Sequence, residues 1–148
     1  MRLETILNRV GKHQSFVYGS SQLEDGASGL ALVVRLRPRR NGGAGVRGAV
    51  CSGCGDHGPT YDHLAERRFE YPPLWGIAMF FAYRMRRVNC VRCGVTVEMV
   101  PWCDGKHSQT TRYRWFLAKW AQRLSWSAVA SIFGTACAGL WSTRWTGA

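Results

Sequence analysis

Cysteine is the residue type whose spacing can carry chemistry in this chain. Two turns match each other, Cys51-Ser52-Gly53-Cys54-Gly55 and Cys90-Val91-Arg92-Cys93-Gly94, with 35 residues between Cys54 and Cys90. Each offers two thiols separated by two residues and then a glycine that tolerates φ > 0. Four thiolates, Cys51, Cys54, Cys90 and Cys93, could therefore converge on one tetrahedral Zn²⁺. Four sulfur ligands leave no open position for water, so such a metal would be structural rather than catalytic. A pair of buried or disulfide-bonded cysteines would give no reason for the repeated CxxCG form. His57 and His63 follow the first turn closely and could replace a cysteine, although the four thiols already suffice. Neither CxxC opens a helix in a thioredoxin-like βαβ pattern, which argues against thiol redox catalysis. Cys103 and Cys137 read as spare thiols.

The flanking segments are those that a pair of metal-binding turns needs. Met79 to Val88 is a long candidate strand running straight into Cys90, and Thr96 to Val100 alternates as it leaves Cys93. A strand entering the turn and another leaving it make a hairpin with the knuckle at its tip, the arrangement of a zinc ribbon. Upstream, Ser15 to Tyr18 and Leu30 to Arg37 are further strands, with a turn over Glu24-Asp25-Gly26 through Gly29. Leu32, Val34 and Leu36 share one face of the second run and Arg35 and Arg37 the other, the pattern of a half-buried strand. A basic, glycine-rich connector follows from Pro38 to Gly45, and Arg35, Arg37, Arg39 and Arg40 are either a solvated face or phosphate contacts. Between the cysteine turns, Tyr61 to Tyr71 is polar and ends at Pro72-Pro73, which excludes a helix through that point.

Composition bounds the partners. A length of 148 residues and 46% apolar content suit one ordinary domain or two very small ones. Twenty Lys plus Arg against nine Asp plus Glu give a formal charge of +11, which favours a polyanion, with nucleic acid ahead of an acidic membrane surface. Charges interrupt the apolar residues of Met1 to Arg9, so no signal peptide is expected there. The longest apolar run, Trp75 to Tyr83, is far short of the roughly 20 residues of a spanning helix. Six cysteines without an export signal point to a reducing compartment, so a cytoplasmic, nucleoid-associated protein is expected.

Beyond Pro101-Trp102 the balance of charge changes. All nine acidic residues lie at or before Asp104, whereas the last 44 residues carry Lys106, Arg112, Arg114, Lys119, Arg123 and Arg144 and no acid. Thr111 is placed to cap a helix from Arg112 to about Leu124, with Tyr113, Leu117, Trp120 and Leu124 on one side and Arg112, Lys119 and Arg123 on another. Ser125 or Ser127 can cap a second helix, Ala128 to Phe133, which Gly134 stops. Ala130, Gly134 and Leu140 fit a helix-turn-helix whose third, recognition helix begins near Thr135 or Ala136. That helix is expected to be short, because Thr143 interrupts its apolar pattern. Phosphate contacts are expected from Arg112, Arg114, Lys119 and Arg123, and base contacts from Ser142 and Arg144.

The order CSGCG, Glu66-Arg67-Arg68-Phe69, Arg86 through Gly94, Glu98-Met99-Val100-Pro101-Trp102, then Leu124 through Ala130 closely resembles the amino-terminal half of bacterial insertion-sequence transposases of the IS L-three family. The string from Arg86 to Trp102 is its most specific part. The resemblance implies a zinc-binding domain with Cys51, Cys54, Cys90 and Cys93 as ligands, and a DNA-reading unit over residues 125 to 145. It implies double-stranded DNA at the element's terminal inverted repeats as partner, with a second copy or a full-length transposase as protein partner. The family's catalytic domain, whose acidic residues hold divalent metal, has no counterpart here, so catalysis by this chain alone is not expected. Asp56, Asp62 and Glu66 read as surface residues. The expected architecture is α+β, with a β-rich zinc ribbon over 1–104 and a helix-turn-helix segment over 105–148. Two other readings are a protein-interaction ribbon for transposase assembly, using Trp75, Phe80 and Phe81, and the first part of a longer active transposase.

Overall fold

The computed structural model describes residues 2–13, 15–26, 29–39 and 48–135. It is α+β and mostly sheet, as the alternation in the sequence suggests. Along the chain come α1 (Leu3–Val10), β1 (Phe16–Gly26), β2 (Gly29–Pro38), β3 (Ala49–Val50), β4 (His57–Gly58), β5 (Thr60–Leu74), β6 (Ile77–Cys90), β7 (Gly94–Val97), α2 (Thr111–Ala121) and α3 (Trp126–Phe133). The main sheet runs β1-β2-β6-β5, with β7 also paired to β6, while β3 and β4 form a separate two-stranded ribbon. β6 is the spine. It pairs parallel to β2 and antiparallel to β5 and β7, and ends at Cys90.

Pro72 and Pro73 lie inside β5, an edge strand, where a missing N–H is tolerated and the pairing with β6 is irregular between Tyr71 and Leu74. The outer edge of β5 is partly covered by the segment before α2. Glu70 N–H donates to Ser108 O at 2.7 Å, and Thr110 N–H donates to Glu70 O at 2.9 Å.

One face of the sheet carries the core. Leu32, Val34 and Leu36 meet Phe69, Met79, Phe81, Tyr83 and Met85 there, with Leu7 of α1 packed on the same cluster. Trp102 plugs this core edge-on, its ring centroid 4.9 Å from Phe16 and 5.3 Å from Tyr83. The step at Pro101-Trp102, where the charge balance changes, is thus also where the chain passes through the core.

Three local expectations need correction. β2 is not half-buried along its whole length: Ala31 and Val33 on its second face are buried too. The pairs Arg68–Glu24 and Arg35–Glu66 span that second face, with Ala82 of β6 in register between Arg35 and Arg68. The cap of α2 is Thr110, not Thr111: its hydroxyl accepts from Tyr113 N–H at 3.3 Å and donates to Glu70 O at 2.9 Å. α2 stops at Ala121, short of exposed Leu124; Trp120, on the helix, is exposed as well, while Tyr113 and Leu117 are buried against Val129 of α3. The Ser125 cap of α3 and the Gly134 stop, at φ 61°, are as expected. The third helix, with Leu140 and Trp141, lies outside the described residues.

Glu98, 2% exposed, ties the tip of the sheet to its core. Its carboxylate accepts from Tyr83 hydroxyl at 2.6 Å, from Arg86 N–H at 2.7 Å, and from the Arg86 guanidinium at 2.9 and 2.7 Å. Burial, reinforced by that carboxylate, holds the Tyr83 phenol well above its ordinary pKa. Removing one partner of such a pair strands the other charge out of water. Glu98→Ala is expected to lower the unfolding free energy by about 3–5 kcal/mol, read from urea titration. Replacing both partners, as Glu98→Leu with Arg86→Met, is expected to cost much less; equal losses would refute the stranded-charge account.

Candidate metal centre

Both cysteine turns form at strand ends. Cys51 follows β3 and bridges to Glu98, and its turn closes with Gly55 N–H donating to Cys51 O at 2.9 Å. Cys90 is the last residue of β6, and Val91 to Cys93 turn the chain into β7. The glycine after each pair has positive φ, 78° at Gly55 and 74° at Gly94, a conformation that side chains resist. The two turns are held face to face by main-chain bonds: Ser52 N–H to Val97 O at 3.3 Å, Met99 N–H to Val50 O at 2.8 Å and Asn89 N–H to Pro59 O at 3.0 Å. Gly58 allows this approach, since a Cβ there would lie 2.7 Å from Val88 Cγ1 and 2.9 Å from Asn89 O.

The result brings Cys51, Cys54, Cys90 and Cys93 together, with all four Sγ atoms within 4.8 Å of one another and Cys54 Sγ 3.4 Å from Cys90 Sγ. Tetrahedral ligands at Zn–S distances of about 2.3 Å would stand about 3.8 Å apart, so the four sulfurs fit one such ion with small adjustments. Cys51 and Cys90 are buried, Cys54 is half-buried and Cys93 is exposed. The arrangement could hold a metal ion and has the layout of a zinc ribbon. His57 and His63 are both exposed and outside the cluster, which is made of cysteines alone.

Electrostatics explains why the cluster suits a cation. The Thr96 hydroxyl, 3.1 Å from Cys51 Sγ, and the N–H groups of Cys54 and Gly53 lower the Cys51 thiol to about 6. The Asp56 N–H works in the same direction on Cys54 but is outweighed by the surrounding sulfurs and by burial, which push that thiol up to about 12. Cys93 is raised too: the Cys54 thiol works to lower it and is outweighed by burial and by Cys51. Cys51 ionises readily and Cys54 and Cys93 then keep their protons, because like charges repel within the site. A divalent cation removes that conflict and displaces the protons.

The other singled-out residues are dispersed. Arg112, at the start of α2, donates to Tyr71 hydroxyl at 3.0 Å and to Val10 O at 3.4 Å. Arg114 is half-buried, and its Nε has no hydrogen-bond partner among the described residues. Lys119 and Arg123 are exposed. Ser142, Arg144, Arg40 and Cys137 lie outside the described residues. Cys103 is buried in the core, its thiol donating to His107 O at 3.0 Å and raised by burial. The acids near the centre are engaged with arginines, Asp56 with Arg92, Asp62 with Arg87 and Glu66 with Arg35. Sequence reasoning missed Thr96 as a partner of Cys51 and Glu98 as the anchor of the tip; no short-range pattern marks either one. No family model, no curated protein and no solved structure matches the chain. No helix among the described residues is long and apolar enough to cross a membrane.

Titrating the reduced protein with Co²⁺ is expected to give one-to-one binding with the thiolate charge-transfer and visible bands of a tetrahedral sulfur site. Cys90→Ser should lose the bands and the protection of β6 and β7 from proteolysis, and His57→Ala should keep both. Bands that persist in Cys90→Ser would rule out the four-sulfur site.

Proposed function

We propose that the chain is a zinc-stabilised DNA-binding module, the amino-terminal part of a transposase of the IS L-three type that binds the element's terminal inverted repeats. The observation that carries this reading is the pairing of a four-cysteine centre with a segment that is basic and wholly free of acids after Asp104. Zinc is the metal that best suits four thiolates in two CxxC turns, and it acts here as a clasp without an open coordination position. The clasp fixes the end of β6, while hydrogen bonds between Glu70 and residues 108–110 and from Arg112 to Tyr71 seat α2 against β5.

Phosphate contact falls first to Lys119 and Arg123, which are exposed on and just after α2. Arg112 contributes from the first turn of α2 with the N–H groups that Tyr71 and Val10 leave free, and Arg114 stands on the same helix. Ser142 and Arg144 read bases in this scheme. A second reading, a protein-interaction ribbon, is favoured by one observation, the 88% exposure of Trp75.

Neutralising about four to six phosphates would make log K fall with log salt at a slope of about −4 to −5. Fluorescence anisotropy on a terminal-repeat duplex should show that slope. Lys119→Glu with Arg123→Glu should weaken binding about tenfold or more at moderate salt and flatten the slope by about 2. Binding that ignores salt, or that survives the double reversal unchanged, would refute the assignment.

A further inference from the structure

We propose that this chain pairs with a second copy of itself, each copy inserting Trp75 from the tip of its β5–β6 hairpin into the aromatic pocket beside Arg112 of the other. This goes beyond the DNA-binding reading and does not depend on it.

The hairpin tip is the first observation. Leu74 pairs with Ile77, so Trp75 and Gly76 form a two-residue turn, with φ 52° and 76°. Two positive φ values are the mark of a type I′ turn, whose first position belongs to Asn, Asp or Gly. A bulky residue at positive φ is a genuine outlier, and among the described residues Trp75 is the one non-glycine with positive φ. Its side chain is 88% exposed, so no burial within the chain offsets that strain. Strain kept without an internal return points to a use outside the fold.

Charge then narrows the partner. Residues 20–26, 29–33 and 69–83, which build this end of the sheet, contain no Lys or Arg in a chain of net charge +11; they carry Asp25, with Glu24 paired to Arg68 and Glu70 accepting from Gln109 and Thr135. The parallel register of Ala31 with Ala78 sets the start of β2 beside the start of β6, so exposed Leu23 and Leu30 lie near the same end. An apolar tip without a cation of its own offers phosphate nothing and suits an aromatic pocket that carries one.

The chain carries such a pocket. A cavity of about 240 Å³ is lined by Tyr18, Tyr71, Phe81, Trp102 and Trp115, with Arg112 at the start of α2. Tyr71 and Phe81 stack at 4.4 Å, and no acidic residue lines the cavity. The space is below the roughly 300–1,000 Å³ of a drug-sized ligand site and suits one bicyclic ring. An indole entering it would meet aromatic walls and the face of a guanidinium, for which Trp is the best partner. Tyr71 is four residues from Trp75 along β5, about 13 Å at strand spacing. Tip and pocket being neighbours in each chain, one two-fold axis can satisfy both contacts at once and close the pair as a dimer.

Sedimentation equilibrium of the metal-loaded chain without DNA, at salt high enough to suppress phosphate binding, should show a monomer–dimer equilibrium that stops at two. Trp75→Ala should weaken it about 30-fold or more, as truncation of a central aromatic anchor does. Thr111→Phe, which fills the pocket from the first residue of α2, should do the same, and N-acetyltryptophanamide should compete with the wild type. Trp75→Asn should also abolish pairing while raising the melting temperature of the dilute monomer by about 3–5 °C, because it relieves the turn. A wild type that stays monomeric, a Trp75→Ala variant that dimerises normally, or a Trp75→Asn variant that melts no higher would each overturn the proposal. A monomeric wild type whose DNA affinity falls on Trp75→Ala would overturn it too, by assigning the tip to nucleic acid.

Discussion

Four sulfurs within 4.8 Å cannot all be thiolates unless a cation sits among them, and much of this molecule is arranged around that constraint. The two turns that bring them together belong to different strand pairs, β3–β4 and β6–β7, which touch through a few main-chain bonds and the bare backbone of Gly58. Besides those bonds, the exposed Asp56–Arg92 pair at 3.3 Å and the Cys51–Thr96 contact at 3.1 Å join the two pairs. With the cation, both ends of the 35-residue connection are fixed to one point.

From that point the order of the structure runs inward along β6. Glu98, bridged to Cys51, spends its carboxylate on Tyr83 and Arg86, and Tyr83 in turn packs edge-on against Trp102. Metal turn, buried ion pair and aromatic core therefore form one connected path. α2 joins through Thr110 and Arg112 rather than through the metal, so the basic helix is referenced to β5 and the sheet core, not directly to the sulfurs.

Features governed by a few adjacent residues could be read from the sequence. The repeated CxxCG, the strands entering and leaving the second turn, the Ser125 cap and the Gly134 stop all depend on local chemistry, and the structure has them. Features decided by distant partners could not. Thr110 and Thr111 are equally good caps by type; Glu70, 40 residues upstream, selects Thr110. Ala31 and Val33 read as solvent-facing until Arg68 and Glu24 meet across the second face. Phe81, read as an exposed contact residue, is fully buried because it faces Tyr18 and Tyr71. α1 carries no side-chain cap at Arg2, but half of its residues, Leu3, Ile6, Leu7 and Val10, are apolar at helical spacing, so its period stood in the sequence, and Leu7 is the one it buries against the sheet.

The parallel pairing of β2 with β6 has a consequence for how the chain reaches this fold. Two parallel neighbours cannot be joined by a tight turn, so the whole of β3, β4 and β5 must be laid down between them. The entropy of closing such a loop grows only slowly with length, but it is lost before any β2–β6 contact compensates it. A metal ion that captured the Cys51 turn and then the Cys90 turn would shorten that loop early. Such an ion would act on the rate at which the central strands find each other, and a chain made where metal is scarce would dwell longest with β2 and β6 unpaired.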